Sequence, residues 1–359
     1  MTLRAALTDL ADMFAYPLRH SHYLELVNPL WSKQVLMARV VGMRDETEDT
    51  RTLTLLPGRG WRDHRAGQFV RLGVAIDGQR HTRTYSISSH PSRSDGCIDV
   101  TVKAIEGGRV SQHLARKVRV GQYLPLGEPQ GEFVVPDAVP VHPLFITAGS
   151  GITPVMSILR AYVDEYEVIP DVVHMHYAPH AHDVIFGAEL RAMDAGQRHY
   201  RLHEYHTRSA GHGHFSAQQL EQACPDWRER DVWACGPAAL LDAVEAHWDN
   251  AGLARRLHVE RFRARTAALP PGQASAGKVI FLGSGTQARS DGCTNLLRLA
   301  EDAGLNPPHG CRMGICHGCN TTLASGCVRD TRTGKLITEP GDVVQVCVCT
   351  AVGDVELAL

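Results

Sequence analysis

The chain has 359 residues, enough for two or three domains that each bury a core of their own. A hydrophobic content of 43% and a charged content of 21% are typical of globular proteins, and a net charge of −2 argues against nucleic acid as a partner, because no basic stripe is available to neutralise phosphates. No run of 18 apolar residues and no signal peptide occurs, so the sequence predicts a cytoplasmic protein without a membrane span, for which peripheral contact with a membrane-bound partner stays open.

Residues 1–34 are predicted to form a helical N-terminal extension. Pro17 and Pro29 divide it into one or two helices. Leu24, Val27 and Trp31 recur at helical spacing, which predicts an apolar face packed on the following domain.

Residues 35–138 consist of short β-runs separated by Gly and Pro turns. Many short strands at this spacing predict a closed antiparallel barrel, interrupted by one helix at Arg109–Arg116. The predicted strands are Val35–Val41, Thr50–Leu56, Gln68–Leu72, Thr82–Ser88, Cys97–Lys103 and Tyr123–Leu126.

One barrel strand carries the motif Arg83-Thr84-Tyr85-Ser86. Arg83 and Tyr85 share a face, where a guanidinium suits a flavin pyrophosphate and a phenol ring offers a flat surface to the isoalloxazine. Ser86 is placed to hydrogen-bond near the reactive flavin nitrogen, which makes it a candidate catalytic residue. The alternative is an ordinary amphipathic strand.

A second barrel motif, Gly107-Gly108-Arg109-Val110-Ser111, stands directly before the predicted helix. Glycines at a helix N-terminus leave backbone N–H groups free for a phosphate, and Ser111 adds a hydroxyl. A plain helix cap is the alternative.

Residues 139–263 alternate between strands and helices, which predicts an α/β domain with a parallel sheet. The predicted strands are Leu144–Thr147, Val172–Tyr177, Tyr200–His206 and Val232–Ala234, and the predicted helices include Pro154–Tyr166 and Ala238–Ala251.

Two motifs follow strands of this sheet. In the first, Gly149 and Gly151 form a turn, and Thr153 and Pro154 open a helix, so a dinucleotide pyrophosphate can lie on the helix N-terminus. The pattern is not GxGxxG, and a glycine turn without a ligand is the alternative. The second motif is Cys235-Gly236-Pro237, which would place Cys235 beside a nicotinamide at the carboxyl end of its strand.

Residues 264–277 have the composition of a linker, and residues 278–359 form a small β-rich domain with a helix at Asn295–Ala303. Cys311, Cys316 and Cys319 show the C-x4-C-x2-C spacing of plant-type [2Fe–2S] loops. Either Cys347 or Cys349 can supply the fourth thiolate. A four-thiolate zinc site is the alternative, although structural zinc usually takes two separated C-x2-C pairs.

Taken together and in this order, the motifs resemble those of the ferredoxin–NADP reductase superfamily, in particular its three-domain oxygenase and desaturase reductases. The resemblance covers about residues 35–359 and implies a multidomain protein: an antiparallel β-barrel flavin domain, an α/β nicotinamide domain with a parallel sheet and an α+β ferredoxin domain of the β-grasp type. The matching motifs also include Asp183–Phe186 and Glu260–Phe262, and the latter makes Phe262 a cofactor-binding candidate.

The resemblance also assigns individual residues. In such ferredoxin domains an acidic residue lies seven positions after the ligand cysteine, and Asp354 has this spacing from Cys347, which is therefore the expected fourth ligand. Thr207 and Arg208 match the position that holds the 2′-phosphate in members that use NADP, which favours NADPH over NADH. One departure is Ala178–His180, where relatives often carry a Ser-Arg pair. The Gly108–Ser111 motif is closer to the FAD pattern than to the FMN pattern.

The resemblance implies an electron-transfer reductase that moves electrons from NADPH through flavin and a [2Fe–2S] cluster to a partner protein. Residues 23–32 look like the extension of bacterial reductases that serve fatty acyl-CoA desaturases. Two alternatives are an NADH-dependent reductase of a Rieske-type oxygenase or demethylase, and a non-enzymatic zinc or redox-sensing protein on the same scaffold.

Overall fold

The computed structural model describes residues 25–32, 34–136, 142–165, 169–209, 213–262, 275–310, 312–314 and 317–359. The chain divides into two compact units, of which the first ends at Glu260 and the second begins at Arg261. Most of the predicted N-terminal extension and of the predicted linker lies outside the described residues. Within the extension, residues 25–27 are helical and Pro29–Trp31 form a 3-10 turn that the side chain of Asn28 caps.

Within residues 34–136, the first part of unit one contains six strands and one helix. They are β1 (Met37–Thr47), β2 (Thr50–Pro57), β3 (Phe69–Ile76), β4 (Gln79–Ser86), β5 (Ile98–Lys103), α1 (Arg109–Arg116) and β6 (Tyr123–Pro125).

These strands close into the predicted antiparallel barrel. Strands β5, β2, β1 and β6 form one sheet in that order, and β3 pairs with β4 in a hairpin. Isolated bridges from Leu72 to Leu126 and from Ile87 to Val100 join this hairpin to both edges of the sheet. Closure leaves the apolar side chains of alternate strand positions inside, where Val70 and Val100 are fully buried.

The second part of unit one alternates strands and helices. The elements are β7 (Pro143–Ala148), α2 (Ile152–Glu165), β8 (Val172–Ala178), α3 (Gly187–Gly196), β9 (Tyr200–His206), α4 (Ala217–Ala223), β10 (Asp231–Cys235), α5 (Ala238–Asn250) and β11 (Leu257–Glu260).

The five strands form a fully parallel sheet in the order β11-β10-β7-β8-β9. Its two faces contact different cores: Phe145 packs on one side and Leu144 on the other, and every residue of β8 is buried. The chain moves outward from β7 to β9 and then returns to the other side of β7, so the strand order reverses between β7 and β10. Ligands of open α/β sheets bind at such a point.

Unit two contains β12 (Gly277–Phe281), β13 (Thr286–Ser290), α6 (Leu296–Asp302), β14 (Asn320–Asp330), β15 (Leu336–Ile337), β16 (Val343–Gln345) and β17 (Cys349–Leu357). The strands follow the order β13-β12-β17-β14-β15, and β16 pairs with β14. Only the β12–β17 pair is parallel among the pairs described. Helix α6 buries Leu296 against this mixed sheet, in agreement with the predicted α+β fold.

The predicted elements correspond closely to the observed ones. The bounds of α1 and β9 are as predicted, whereas β11 and the helices α3 and α4 were not predicted. Gly277, expected as the last linker residue, already pairs in β12. In the part of the chain that the structure describes, no helix is both long enough and apolar enough to cross a membrane.

Candidate functional site

The β3–β4 hairpin carries the predicted flavin motif. Its turn, Asp77-Gly78, has positive φ at both residues, and Arg83 and Tyr85 lie opposite Leu72 and Val70. Burial raises the pKa of Tyr85, so its phenol stays protonated. The last three residues of the motif, Thr84, Tyr85 and Ser86, end the strand, and Ser86 is buried. The structure therefore presents a guanidinium and a neutral phenol on one face, as predicted from the alternation.

The second flavin motif forms the start of α1. Gly107 has a φ of +68°, and Gly108 is the N-cap residue without a side-chain cap. The hydroxyl of Ser111 accepts a hydrogen bond from the Ile105 amide and donates one to the Gly108 carbonyl, both at 3.2 Å. The Ser111 hydroxyl thus closes the turn itself, which holds the glycines in place.

The residues between these glycines and Ser111 anchor the helix. Val110 is buried in the barrel core, and Arg109 Nη2 lies 2.6 Å from Asp77 Oδ2 in the turn of the β3–β4 hairpin. Both flavin motifs are therefore connected through one ion pair.

The nicotinamide motifs meet at the switch point between β7 and β10. Gly149 has a φ of +52°, and Gly151 follows it in a 3-10 turn that leads into α2. A Cβ on Gly151 would overlap the carbonyl of Cys235, and a Cβ on Gly236 would lie 3.2 Å from that of Ala148. Only a glycine at position 151 permits this approach, so two motifs 85 residues apart in sequence meet at one place in the fold.

The start of α2 is tightly packed. Thr153 donates from Oγ1 to the Ser150 carbonyl at 2.9 Å, and Thr153 and Pro154 are both buried. Pro237 is the N-cap residue of α5 on the other side of the switch point. Two helix N-termini consequently start beside each other, which favours a negatively charged ligand there.

A carboxyl group shares this end of the sheet. Glu260 pairs in register with Cys235 at the ends of β11 and β10. Burial raises the pKa of Glu260 to about 7, and burial together with this carboxylate raises the pKa of the Cys235 thiol. The sequence identified Glu260 only as part of a motif, because burial of the carboxyl is not visible in local spacing.

Thr207 and Arg208 lie just beyond β9. The Thr207 amide donates to the Ala178 carbonyl at 2.8 Å, and the Arg208 amide donates to the Pro179 carbonyl at 3.1 Å. These bonds fix the backbone after β8 and β9, whereas the Arg208 side chain is exposed. Phe262, which follows β11 by two residues, is 37% exposed.

A buried histidine network lies in the same sheet and was not predicted. Thr147 Oγ1 lies 2.8 Å from His174 Nε2 and 2.7 Å from His176 Nδ1, and His174 Nδ1 lies 2.7 Å from the Tyr200 hydroxyl. Burial lowers the pKa of both histidines, that of His176 to about 4, so both rings are neutral at neutral pH. The network holds β7, β8 and β9 together directly below the Gly149 turn.

Arg160 of α2 connects the barrel with the nicotinamide sheet. Its Nη1 donates to the Ser88 carbonyl, just after the flavin strand, at 2.7 Å, and the guanidinium pairs with Glu189 of α3 at 2.6 and 2.8 Å. It also lies 4.9 Å from the ring of Phe186, which has a φ of +60°. Ser157 adds a hydrogen bond to the Ser89 carbonyl. Sequence reasoning missed this contact because its partners are distant in sequence.

Two of the four predicted cluster ligands, Cys311 and Cys316, lie outside the described residues. The other two meet: Cys347 hydrogen-bonds with Cys319, which lowers the pKa of Cys319 to about 6. Cys349 is buried at the start of β17, and burial raises its pKa to about 12. The eight cysteines within the described ranges are all free.

The acidic residue seven positions after Cys347 has a structural contact of its own. The carboxylate of Asp354 accepts a hydrogen bond from the Lys278 amide at 2.8 Å, which ties β17 to β12. The carboxylate found at this spacing therefore joins the parallel strand pair β12–β17.

Two family models match the first unit. Residues 38–135 match an oxidoreductase FAD-binding domain, and residues 145–246 match an oxidoreductase NAD-binding domain. These ranges correspond to the barrel and to the parallel sheet that contain the two sets of motifs.

Three relatives extend the comparison to the whole chain. An NADPH oxidoreductase from Mycobacterium tuberculosis is 46% identical over 97% of this chain and 91% of its own length. A glycine betaine monooxygenase reductase subunit from Pseudomonas aeruginosa is 32% identical over 86% of this chain and 90% of its own. The solved phthalate dioxygenase reductase, described as a modular structure for electron transfer from pyridine nucleotides to [2Fe–2S], has a TM-score of 0.64 at 22% identity and covers 91% of this chain and 98% of its own, which shows the common fold.

The oxidoreductase family models and relatives argue against a non-enzymatic sensor. Together with the barrel, the parallel sheet and their motifs, they show that the chain belongs to the ferredoxin–NADP reductase superfamily and is an NAD(P)H-dependent oxidoreductase.

Proposed function

We propose that this reductase transfers hydride from NADPH to FAD and passes the electrons on, through a [2Fe–2S] cluster, to a partner protein. Bound flavin takes up two electrons as hydride and releases them singly, and the cluster carries one electron at a time. The observation that carries the proposal is the contact of Cys319 with Cys347, which brings two of the four predicted ligand side chains together in a chain that also has FAD- and NAD-binding domains.

The switch point would hold the nucleotide. Gly149 leaves room for its pyrophosphate before the start of α2, where Thr153 and Pro154 shape the first turn, and Gly151 allows the Cys235 backbone to pack beside it. Cys235 would contact the nicotinamide, since it ends β10 beside this turn. Its thiol stays protonated, because burial raises its pKa. It would therefore act by contact and not as a nucleophile.

The barrel would hold the flavin. Arg83 would bind the pyrophosphate, Tyr85 would pack on the ring system, and Ser86 would hydrogen-bond near its reactive nitrogen. Gly108 and the start of α1 would bind a phosphate. The match to an FAD-binding domain favours FAD over FMN.

The choice of NADPH rests on Arg208. Its exposed side chain follows β9, and guanidinium groups suit a 2′-phosphate. The relative from Mycobacterium tuberculosis is named an NADPH oxidoreductase, in agreement with this choice.

The residues around Cys319 fit an iron–sulfur cluster. Cys347 contacts Cys319, Gly314 and His317 have positive φ, and the buried Val348 lies beside Gly314. Loop backbone in this conformation can wrap around a compact inorganic core. Cys311 and Cys316 would complete the ligand set.

The proposed partner is a membrane-bound fatty acyl-CoA desaturase, and the support is the resemblance in residues 23–32. The match to the 46% identical relative covers all but about 3% of this chain, which is roughly 11 residues. Most of the 34-residue extension therefore lies within the part that the two proteins have in common. The alternative partner is a soluble oxygenase, favoured by the name of the glycine betaine monooxygenase reductase subunit. Reconstitution with each acceptor, measured as NADPH consumed per product formed, distinguishes them.

An anaerobic visible and EPR titration with NADPH, then with NADH, tests the electron path. We expect flavin and iron–sulfur bands to bleach at low NADPH and a reduced [2Fe–2S] signal to appear. Flavin bleaching without a cluster signal would refute the cluster, and preferential bleaching by NADH would refute the role of Arg208. No bleaching with either nucleotide would refute the proposal as a whole.

A further inference from the structure

One arginine outside the cysteine motif is bound to the cysteine loop. Arg332, which follows β14, donates from Nη1 to the carbonyl of Gly314 at 2.8 Å. Gly314 lies between Cys311 and Cys316 in the sequence, so this bond holds the described residue 314 of the segment between these two cysteines.

The same guanidinium reaches the second half of the loop through a glutamine. Arg332 Nη2 donates to Gln345 Oε1 at 2.8 Å, and Gln345 Nε2 lies 3.1 Å from His317 Nδ1. His317 lies between Cys316 and Cys319 and has a φ of +54°. A non-glycine residue in this region persists only where its surroundings hold it.

The space beside Arg332 is shaped for its guanidinium. Gly314 has a φ of +74°, and a Cβ there would overlap the guanidinium and lie 2.9 Å from Val348. Asp330 orients the group through bonds of 2.6 Å to Nη2 and 3.1 Å to Nε. Arg332 has a side-chain exposure of 31%, so water screens its charge only in part.

We propose that Arg332 is a positioning residue for the [2Fe–2S] cluster, which clamps both halves of the cysteine loop and holds a positive charge that makes the cluster easier to reduce. The inference rests on the proposed function. One-electron reduction adds a negative charge to the cluster, and a nearby cation stabilises the reduced form more than the oxidised form. Loss of Arg332 would also leave the Asp330 carboxylate without its partner, which disfavours reduction further.

The test is an EPR-monitored redox titration of the full chain. In Arg332→Gln, we expect the ratio of reduced to oxidised cluster at a fixed potential to fall about tenfold. This fall corresponds to a reduction potential of the cluster that is lower by ~59 mV, because one electron is transferred. Asp330→Asn should shift the ratio in the opposite direction, because the cation loses its counter-charge. Arg332→Lys keeps the charge and should stay closer to the wild type. Arg298→Gln, in an ion pair with Asp302 on α6, is the matched control and should not shift.

The clamp is tested separately. Gln345→Leu removes the link to His317 without changing charge, so it should leave the potential unchanged and speed loss of the cluster to an iron chelator several-fold. If Arg332→Gln holds no cluster, as measured by its iron and labile sulfide content, the clamp is supported. The redox titration of Asp330→Asn then tests the effect of charge on the reduction potential.

Unchanged potential in both Arg332→Gln and Asp330→Asn would overturn the charge role, and unchanged chelator loss in Arg332→Gln and Gln345→Leu would overturn the clamp. A wild-type protein without a reduced [2Fe–2S] signal would overturn the proposed function itself, which is a different outcome from an unshifted variant.

Discussion

The nicotinamide site and the cysteine loop are held in shape by different kinds of contact. At the switch point, the backbone of Gly151 packs directly on the backbone of Cys235, between strands of a sheet with a core on each face. In the cysteine loop, the guanidinium of Arg332 bridges backbone and side-chain groups next to a single core. A site formed by packed backbone exists before its ligand binds, whereas a loop held by side chains depends on each of those side chains.

Loss of a proposed cluster ligand tests whether the nicotinamide site and the cysteine loop function independently. Cys316→Ser should remove the iron–sulfur absorbance almost completely, because three thiolates rarely hold such a cluster. NADPH-dependent flavin reduction should continue at the wild-type rate, since the ligand lies in the second unit. Cys293→Ser, at an exposed free cysteine, is the control. Normal cluster absorbance in the Cys316 variant would contradict the assignment.

A methyl group at Gly151 tests the backbone contact. Gly151→Ala should slow flavin reduction by NADPH about 100-fold in stopped-flow measurements, because its Cβ overlaps the Cys235 carbonyl and displaces the nucleotide site. Flavin content should stay normal. Gly196→Ala is the matched control, as a Cβ there meets nothing within 4 Å. A wild-type rate in Gly151→Ala would show that the switch point is not the nucleotide site.

Removal of Arg160 tests whether the nicotinamide site also needs a side chain. Arg160→Met loses the bonds to Ser88 and Glu189, so the flavin strand and α2 should no longer be held in register. We expect hydride transfer to slow about tenfold with little change in flavin content. Arg198→Met, at an exposed arginine, is the control. Equal rates in both variants would restrict Arg160 to a role in stability.

The smallest expected effect concerns Glu260 and pH. Its pKa rises from 4.5 to about 7 on folding, so between these values the folded state retains a proton that the unfolded state releases. The free energy of unfolding should therefore fall as pH rises from about 4.5 to 7, by on the order of 1–3 kcal/mol. Glu260→Gln should remove this dependence. The measurement is the difference in Tm between wild type and variant, taken once at pH 5 and once at pH 8. An equal difference at the two pH values would contradict the burial of the Glu260 carboxyl.

The local spacing of apolar, glycine and proline residues was sufficient to predict most of the helices and strands. The helix predicted at Asn295–Ala303 is observed as α6, Leu296–Asp302, and Asn295 caps it by accepting from the Arg298 amide at 2.8 Å. Strand β11 was missed, because its four residues, Leu257–Glu260, are too few to show a period. The histidine network was missed as well: His174 and His176 alternate in β8 like ordinary core positions, and only the fold places Thr147 between them.

The motifs, the cysteine spacing and the order of the barrel, the parallel sheet and the mixed sheet can be read from the sequence, because each depends on residues within a few positions of one another. The contacts of Gly151 with Cys235, of Arg160 with Ser88 and of Arg332 with Gly314 follow only from the folded chain. Those contacts join residues 18 to 84 positions apart, and strand order and burial set their distances. The same burial places the pKa of Glu260 near neutrality.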